Sequence, residues 1–402
     1  MVTKNNTLTP IPKKLKIAVL IRRFITTGGA ERYAVEVARG IAVEHDMHVF
    51  TQEWTLEGNE KITFHKIPKF FTKPGFLNML IFSFFTSKYL DESFDIIHSH
   101  ERVTRFDILT IHCPCFKTFL TQEKRCWKKI ILWFSIALSP RKMAYLWMEQ
   151  QQFTYPKQRL FIAVSKKIKS NVQESYALPD NCFGIAYPGV NADFGIIEMT
   201  EGDKNMMRAH LGVDKNDIAV LFVGSEFKRK GLDNLLKGIA LIKRSDLKLI
   251  IAGNGDQQKY TRLAEKLGIK ENVIFLGLVK DIERIYALAD IFILPTLCDP
   301  AGMSPLEAMA SGVATIISCS KYAGSAEQML NNEALLLENP DNPQAIADSL
   351  LKLMDRSYRQ YLGKKGRELA NQLTWANTTK NTLSVYYKIL ELKPCNLIAN
   401  NK

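Results

Sequence analysis

The chain has 402 residues and 46% apolar content, enough for two full cores and too much for a disordered chain. Its formal net charge of +13 raises nucleic acid as a partner, but no RNA-binding aromatic signature accompanies the basic residues. Seven cysteines without a repeating spacing argue against a disulfide framework and fit a reducing compartment; Cys113-Pro114-Cys115 lacks the second pair that a structural zinc site needs.

Basic residues precede the first apolar run, but that run is short, ends in Arg22-Arg23 and lacks a small-residue cleavage site, so it reads as a strand and not as a signal. Strands are expected at 15–21, 47–51, 94–98, 107–111 and 160–164, then at 218–223, 247–252, 273–276, 291–294 and 313–318. Helical faces lie between them, such as Ala34, Val37, Ala38 and Ile41. Two successive βαβ series imply an α/β protein of two doubly wound domains. The turn-rich, charged stretch near 188–215 separates them, giving a first domain over 1–195 and a second over 196–375. A final helix within 376–402 has no strand after it and is expected to pack back toward the first domain. No apolar stretch reaches the roughly 18 to 20 residues that span a bilayer. The longest run over 79–85 and 130–138.

The stretch LCDPAGMSPLEAMASGVATII, 297–317, sets two carboxylates around a Pro-Ala-Gly turn between two apolar runs. One reading is structural: Ser304 as N-cap, Pro305 at the first helical position, Glu307 closing a capping box, and Gly312 ending the helix. The other is chemical. A strand, a glycine turn and a helix start present the amides of Ala301, Gly302 and Met303 at the carboxyl edge of a parallel sheet, where anions bind. Carboxylates beside a phosphate repel it unless they accept hydrogen bonds from hydroxyls of the same ligand. Asp299 and Glu307 therefore suggest a ligand with phosphate in the middle and polyol at both ends, the shape of a nucleotide sugar.

Three further turns follow strands. In TTGGAERY, 26–33, Gly28 and Gly29 either bring backbone amides to an anion or merely permit a tight turn. In VGSEFKRKG, 223–231, Arg229 and Lys230 either suit a diphosphate or form a solvated basic loop. The glycines of IIAGNGDQ, 250–257, allow a base or ribose to approach, but the dinucleotide fingerprint is incomplete, which argues against an oxidoreductase. His112, after the apolar run 108–111, emerges at a sheet edge either as a structural hydrogen-bonder or as a site residue.

Taken in order, Gly28-Gly29-Ala30-Glu31-Arg32, His112, IAVSKKIKSNV with YPGVN over 162–191, Arg229-Lys230-Gly231, and Asp299 to Glu307 resemble retaining GT-B glycosyltransferases of family 4, nearest the lipopolysaccharide core glucosyltransferase group. The resemblance implies two Rossmann-like domains facing a central cleft. It implies that Arg229 and Lys230 hold a donor diphosphate, aided by Gly302 and Met303, and that Glu307 takes the ribose hydroxyls. Asp299 and Ala301 would touch the sugar. Gly28 and Gly29 would close over from the first domain, Gly224, Gly253 and Leu278 would complete the donor site, and His112 would contact the transferred sugar. The family pattern has glutamate where this chain has Asp299, one methylene shorter, which bears on sugar preference and rate.

The implied reaction moves a hexose, from UDP-glucose or a similar donor, with retention of configuration. The cations and a helix N-terminus stabilise the leaving diphosphate, so neither a cofactor nor a metal is expected, and the sequence offers no Asp-x-Asp pair to hold one. The acceptor is a membrane-associated glycan such as lipopolysaccharide core, with a capsule, exopolysaccharide or glycolipid acceptor as the alternative.

Residues 1–190 carry 27 Lys+Arg against 16 Asp+Glu, so the charge excess belongs to the first domain. Residues 116–159 hold nine basic and two acidic residues among several aromatics. That stretch is either a buried helical hairpin with a solvated face or an interfacial segment in which Lys124, Arg125, Trp127, Lys128, Lys129 and Trp133 meet an anionic membrane. The expectation is a monomeric cytoplasmic enzyme, peripheral at the inner leaflet of the membrane, with no nucleic-acid partner.

Overall fold

The computed structural model describes residues 14–55, 61–121, 131, 134–154, 158–191 and 193–393. It divides into two compact units, Met1–Ala186 with Trp375–Lys402, and Tyr187–Thr374. Lys124, Arg125, Trp127, Lys128, Lys129 and Trp133 lie outside the described residues.

Short runs of β-branched and aliphatic residues, apolar on both faces, form strands that helices must cover on both sides. In the first unit seven such strands form one parallel sheet in the order Ile62–Lys66, Asp46–Thr51, Lys16–Leu20, Ile96–Ser99, Ile108–Ile111, Leu160–Ala163, Phe183–Ile185. The register is set around the first strand, where Ile17 pairs with Met47 on one side and Ile96 on the other. The second unit has six parallel strands, Val273–Gly277, Leu247–Ala252, Ile218–Val223, Ile291–Leu294, Ala314–Ser318 and Leu335–Leu337.

Each sheet winds outward from its first strand and then returns to that strand's other side. The crevice at this reversal, past the carboxyl ends of the strands, is where doubly wound folds bind ligands. It falls between Ile218–Val223 and Ile291–Leu294 in the second unit, and between Lys16–Leu20 and Ile96–Ser99 in the first. The loops after those strands carry Gly224 to Gly231 and Cys298 to Gly302 in one unit, and Gly28, Gly29 and His100 in the other.

Helix Trp375–Leu392 closes the first unit by packing on helix Gly29–Ala42. Its buried stripe is Trp375, Thr378, Thr379, Thr382, Val385, Tyr386 and Ile389, a helical spacing. Tyr386 is wholly buried, and its hydroxyl lies 2.7 Å from Nδ1 of His98 in the fourth strand of the sheet. Replacing Tyr386 by Ala should lower the unfolding free energy of this unit by about 3–5 kcal/mol in urea titrations. The neighbouring Tyr387→Ala, on the exposed face, should change it by less than about 0.5 kcal/mol.

Candidate functional site

In the second unit the loop after Ile218–Val223 and the loop after Ile291–Leu294 are joined by a buried ion pair, Lys230 Nζ with the Asp299 carboxylate. Backbone bonds hold Asp299 from both sides: its N–H donates to Tyr322 O at 2.8 Å, and its carbonyl accepts from Gly324 N–H at 2.9 Å. Arg229 lies on the same loop but nearer solvent. Its Nε donates to Glu226 at 2.5 Å and its Nη1 to the Cys298 carbonyl. One cation is therefore held rigidly by a carboxylate, and the other is clamped across two loops with part of its guanidinium still in water.

Glycine lets the backbone close around this pair. Gly253 sits at φ 140°, and a Cβ there would lie 2.1 Å from the Gly224 carbonyl oxygen, so no other residue fits. Gly253 N–H donates to Gly277 O at 2.8 Å, which brings the exposed Leu278 alongside. Gly224 in turn lies against the Lys230 stem. Gly224, Lys230, Gly253, Leu278, Asp299, Ala301, Gly302 and Met303 thus share one edge of the sheet.

The capping box expected at Ser304 does not form. Helix Met303–Ala310 begins earlier, behind Gly302, which takes φ 65° and offers no side-chain cap. Glu307 therefore falls past the third helical position, and its carboxylate turns inward to accept from Tyr286 Oη at 2.8 Å. The helix does end as expected, at Ala310 before Gly312 at φ 73°. Because Gly302 brings no side chain to the start of the helix, the amides of the first turn are left for another acceptor. Beside Gly302 the hydroxyl of Ser325 is buried and has no hydrogen-bond partner among the described residues, and sequence reasoning did not single it out.

In the first unit, Gly28 at φ 98° precedes helix Gly29–Ala42, again without a side-chain cap. One turn on, Tyr33 packs edge-on to His112 with centroids 5.1 Å apart. His112 Nε2 lies 3.0 Å from His100 Nδ1, and the His100 ring stands 4.4 Å from that of His98. His98 is spanned by Thr110 Oγ1 and Tyr386 Oη, each at 2.7 Å. Burial pushes His112 down to about 4, and burial with the neighbouring His112 pushes His98 down to about 3. Burial and both neighbours hold His100 well below its ordinary range. At neutral pH the row is therefore uncharged, and His112 is both a hydrogen-bonder and a wall of a pocket shared with Glu101, Arg102, Cys113 and Glu149.

Among the described residues no group of three or more His, Cys, Asp or Glu is placed to hold a metal, and Cys113, Cys115, Cys182, Cys298 and Cys319 are free thiols. Tyr286 was missed in the sequence because an aromatic at helical spacing reads as core; only the fold aims its hydroxyl at Glu307.

Two measurements follow. Asp299→Asn leaves the buried Lys230 ammonium without its counter-charge and should cost about 3 kcal/mol of unfolding free energy. Glu226→Gln, on the exposed partner of Arg229, should cost less than about 1 kcal/mol. The histidine row adds a pH dependence. Its folded pKa values lie below the ordinary 6.5, so its contribution to stability is present above pH 6.5 and is lost as pH falls from there toward about 4. Melting temperature should drop across that window, by an amount equivalent to about 1.4 kcal/mol per pH unit for His112 alone. The slope should flatten in His112→Gln.

Comparison with known proteins agrees with this architecture. Residues 27–194 match the Glycosyltransferase Family 4 domain, and residues 203–369 match Glycosyl transferases group 1. An uncharacterized glycosyltransferase of Methanocaldococcus jannaschii is 27% identical over 75% of this chain and 77% of its own. Lipopolysaccharide glucosyltransferase WaaG of Escherichia coli K12 is 23% identical over 85% of this chain and 90% of its own. The crystal structure of WaaG superposes with a TM-score of 0.78 at 21% identity, covering 92% of this chain and 99% of that one. Anabaena HepE, solved with UDP and glucose, superposes with a TM-score of 0.69 at 16% identity, covering 93% and 100%. With a family 4 domain, a group 1 domain and two parallel Rossmann-like sheets, the chain belongs to the GT-B glycosyltransferases of group 1/family 4.

Proposed function

We propose that this glycosyltransferase moves a hexose, with retention, from a UDP-sugar such as UDP-glucose to a membrane-associated glycan of the lipopolysaccharide-core type, and that it works as a monomer at the cytoplasmic face of the membrane. The observation that carries the donor half is the meeting of Arg229, the Lys230–Asp299 pair and the uncapped start of helix Met303–Ala310 at one edge of the second sheet. A diphosphate there faces two cations and a helix N-terminus. The charge that grows on it as the glycosidic bond breaks is stabilised by groups already in place, which lowers the barrier more than it tightens ground-state binding.

The carboxylates take different parts. Asp299 fixes the Lys230 ammonium and faces the sugar side of the turn, while Glu307, oriented by Tyr286, accepts from ribose hydroxyls. HepE was solved with UDP and glucose, and WaaG is named as a lipopolysaccharide glucosyltransferase; both support the proposed donor and acceptor classes. His112, uncharged and packed edge-on against Tyr33, supplies a neutral hydrogen bond to the transferred sugar.

The test is a pair of variants read against UDP binding and turnover. Glu307→Gln should weaken UDP about tenfold or more, for loss of a charged hydrogen bond, with the melting temperature nearly unchanged. Arg229→Ala should cut kcat about a hundredfold at saturating donor without loss of stability. A chelator should leave turnover unchanged. UDP affinity unaltered in Glu307→Gln, or turnover that collapses with the chelator, would overturn the proposed donor chemistry.

A further inference from the structure

Helix Gly75–Tyr89 of the first unit is inside out. Its buried face carries Asn78, Ser83 and Thr86 beside Met79 and Phe82, and the polar groups are satisfied inward: Asn78 exchanges two hydrogen bonds with Gln52, Ser83 meets Thr104, and Thr86 donates to Phe82 O. Its outward face carries Phe84, 65% exposed, and Tyr89, 48% exposed. The preceding loop adds Phe70, 63% exposed, and Phe71, 45% exposed. Phe85 ties Phe70, Phe84 and Tyr89 into one patch, with centroids at 5.9, 5.4 and 5.8 Å, and Phe71 is the chain neighbour of Phe70. A helix that buries Asn78, Ser83 and Thr86 while leaving Phe84 and Tyr89 outside is arranged for an apolar medium there.

The charges around the patch identify that medium. Residues 61–90 contain no aspartate or glutamate, and Lys61, Lys66, Lys69, Lys73 and Lys88 are all exposed. The rings sit among five exposed lysines, against Glu53 at 3.9 Å from Lys69 and Asp91 and Glu92 just past Tyr89, and this net positive aromatic surface matches anionic headgroups over an acyl boundary. With 15 residues the helix is about 22 Å long, shorter than the roughly 30 Å hydrocarbon core, and no helix among the described residues is long and apolar enough to cross a membrane. It packs against helix Pro140–Phe153, whose Met143 and Trp147 are also exposed.

We infer that Phe70, Phe71, Phe84 and Tyr89, rimmed by Lys69, Lys73 and Lys88, form an interfacial docking surface for an anionic lipid bilayer. The aromatic patch, more than the basic stretch around Lys124 to Lys129, then supplies the part of membrane binding that salt does not remove. This rests on the reading that the acceptor is membrane-associated, but its test does not depend on transfer.

The test is co-sedimentation with phosphatidylglycerol-containing and pure phosphatidylcholine vesicles at low and high salt. It uses the full chain, a Phe70→Ser/Phe71→Ser/Phe84→Ser variant, and a variant with Lys124, Arg125, Lys128 and Lys129 changed to Gln. The wild type should bind the anionic vesicles and retain a fraction at high salt. The aromatic variant, with unchanged melting temperature and unchanged UDP affinity, should lose that fraction and bind about tenfold or more weakly at low salt. Undiminished binding by the aromatic variant, with loss only in the basic variant, would overturn this surface while leaving a membrane-bound transferase intact. Absence of binding by the wild type would overturn both. A wild-type dimer that the aromatic substitutions dissociate, without vesicle binding, would assign the patch to a second copy of the chain instead.

Discussion

A buried ammonium needs a counter-charge, and in the second unit Asp299 supplies it to Lys230. That pair fixes the loop after the first strand of the sheet to the loop after the fourth, across the point where the winding reverses. The glycine contacts at Gly224 and Gly253, the clamp of Arg229 on Cys298 and the uncapped start of helix Met303–Ala310 all sit within reach of it. The pair also fixes a donor. A lysine held by a carboxylate is pre-positioned, so an arriving phosphate meets its N–H groups without ordering a flexible side chain.

The first unit solves a different problem by desolvation. His98, His100 and His112 stand in a row whose outer members meet Tyr386 and Tyr33, and burial keeps the row uncharged. A neutral imidazole beside a sugar hydroxyl donates or accepts without adding charge to the site. In the proposed transfer the cations that meet the leaving diphosphate are Arg229 and Lys230 of the second unit, and the histidine row adds no charge of its own.

The helix Gly75–Tyr89 extends the same contrast to the surface. Its polar residues are buried because Gln52 and Thr104 give them partners, and those partners come from other elements of the unit. With part of the inward face taken by satisfied amide and hydroxyl groups, only Phe82 of the helix's rings is fully buried, and Phe84 and Tyr89 are left outside. Core and surface rules are exchanged on one element, a departure from consistent patterning of the kind found where function is served.

The sequence by itself determined the two parallel sheets. Runs such as 218–223 and 291–294 are apolar on both faces, which only a helix-covered parallel sheet tolerates, and glycine turns after them place the loops. Three edge strands were not legible: Phe183–Ile185 and Leu335–Leu337 are only three residues long, and Ile62–Lys66 is interrupted by Thr63, His65 and Lys66, whereas the apolar edge strand Val273–Gly277 was read. The clustering of Gly224, Arg229, Lys230, Asp299 and Gly302 was legible as motifs at strand ends. Tertiary structure alone decided what those side chains do to one another. Local spacing predicted a capping box at Glu307, but the left-handed turn at Gly302 started the helix earlier and the hydroxyl of Tyr286 drew the carboxylate inward. The Lys230–Asp299 pair, the histidine row and the outward phenylalanines likewise join residues far apart in the chain, or depend on partners that are. Periodicity records which face of an element is apolar; it carries no information about which distant group will meet it.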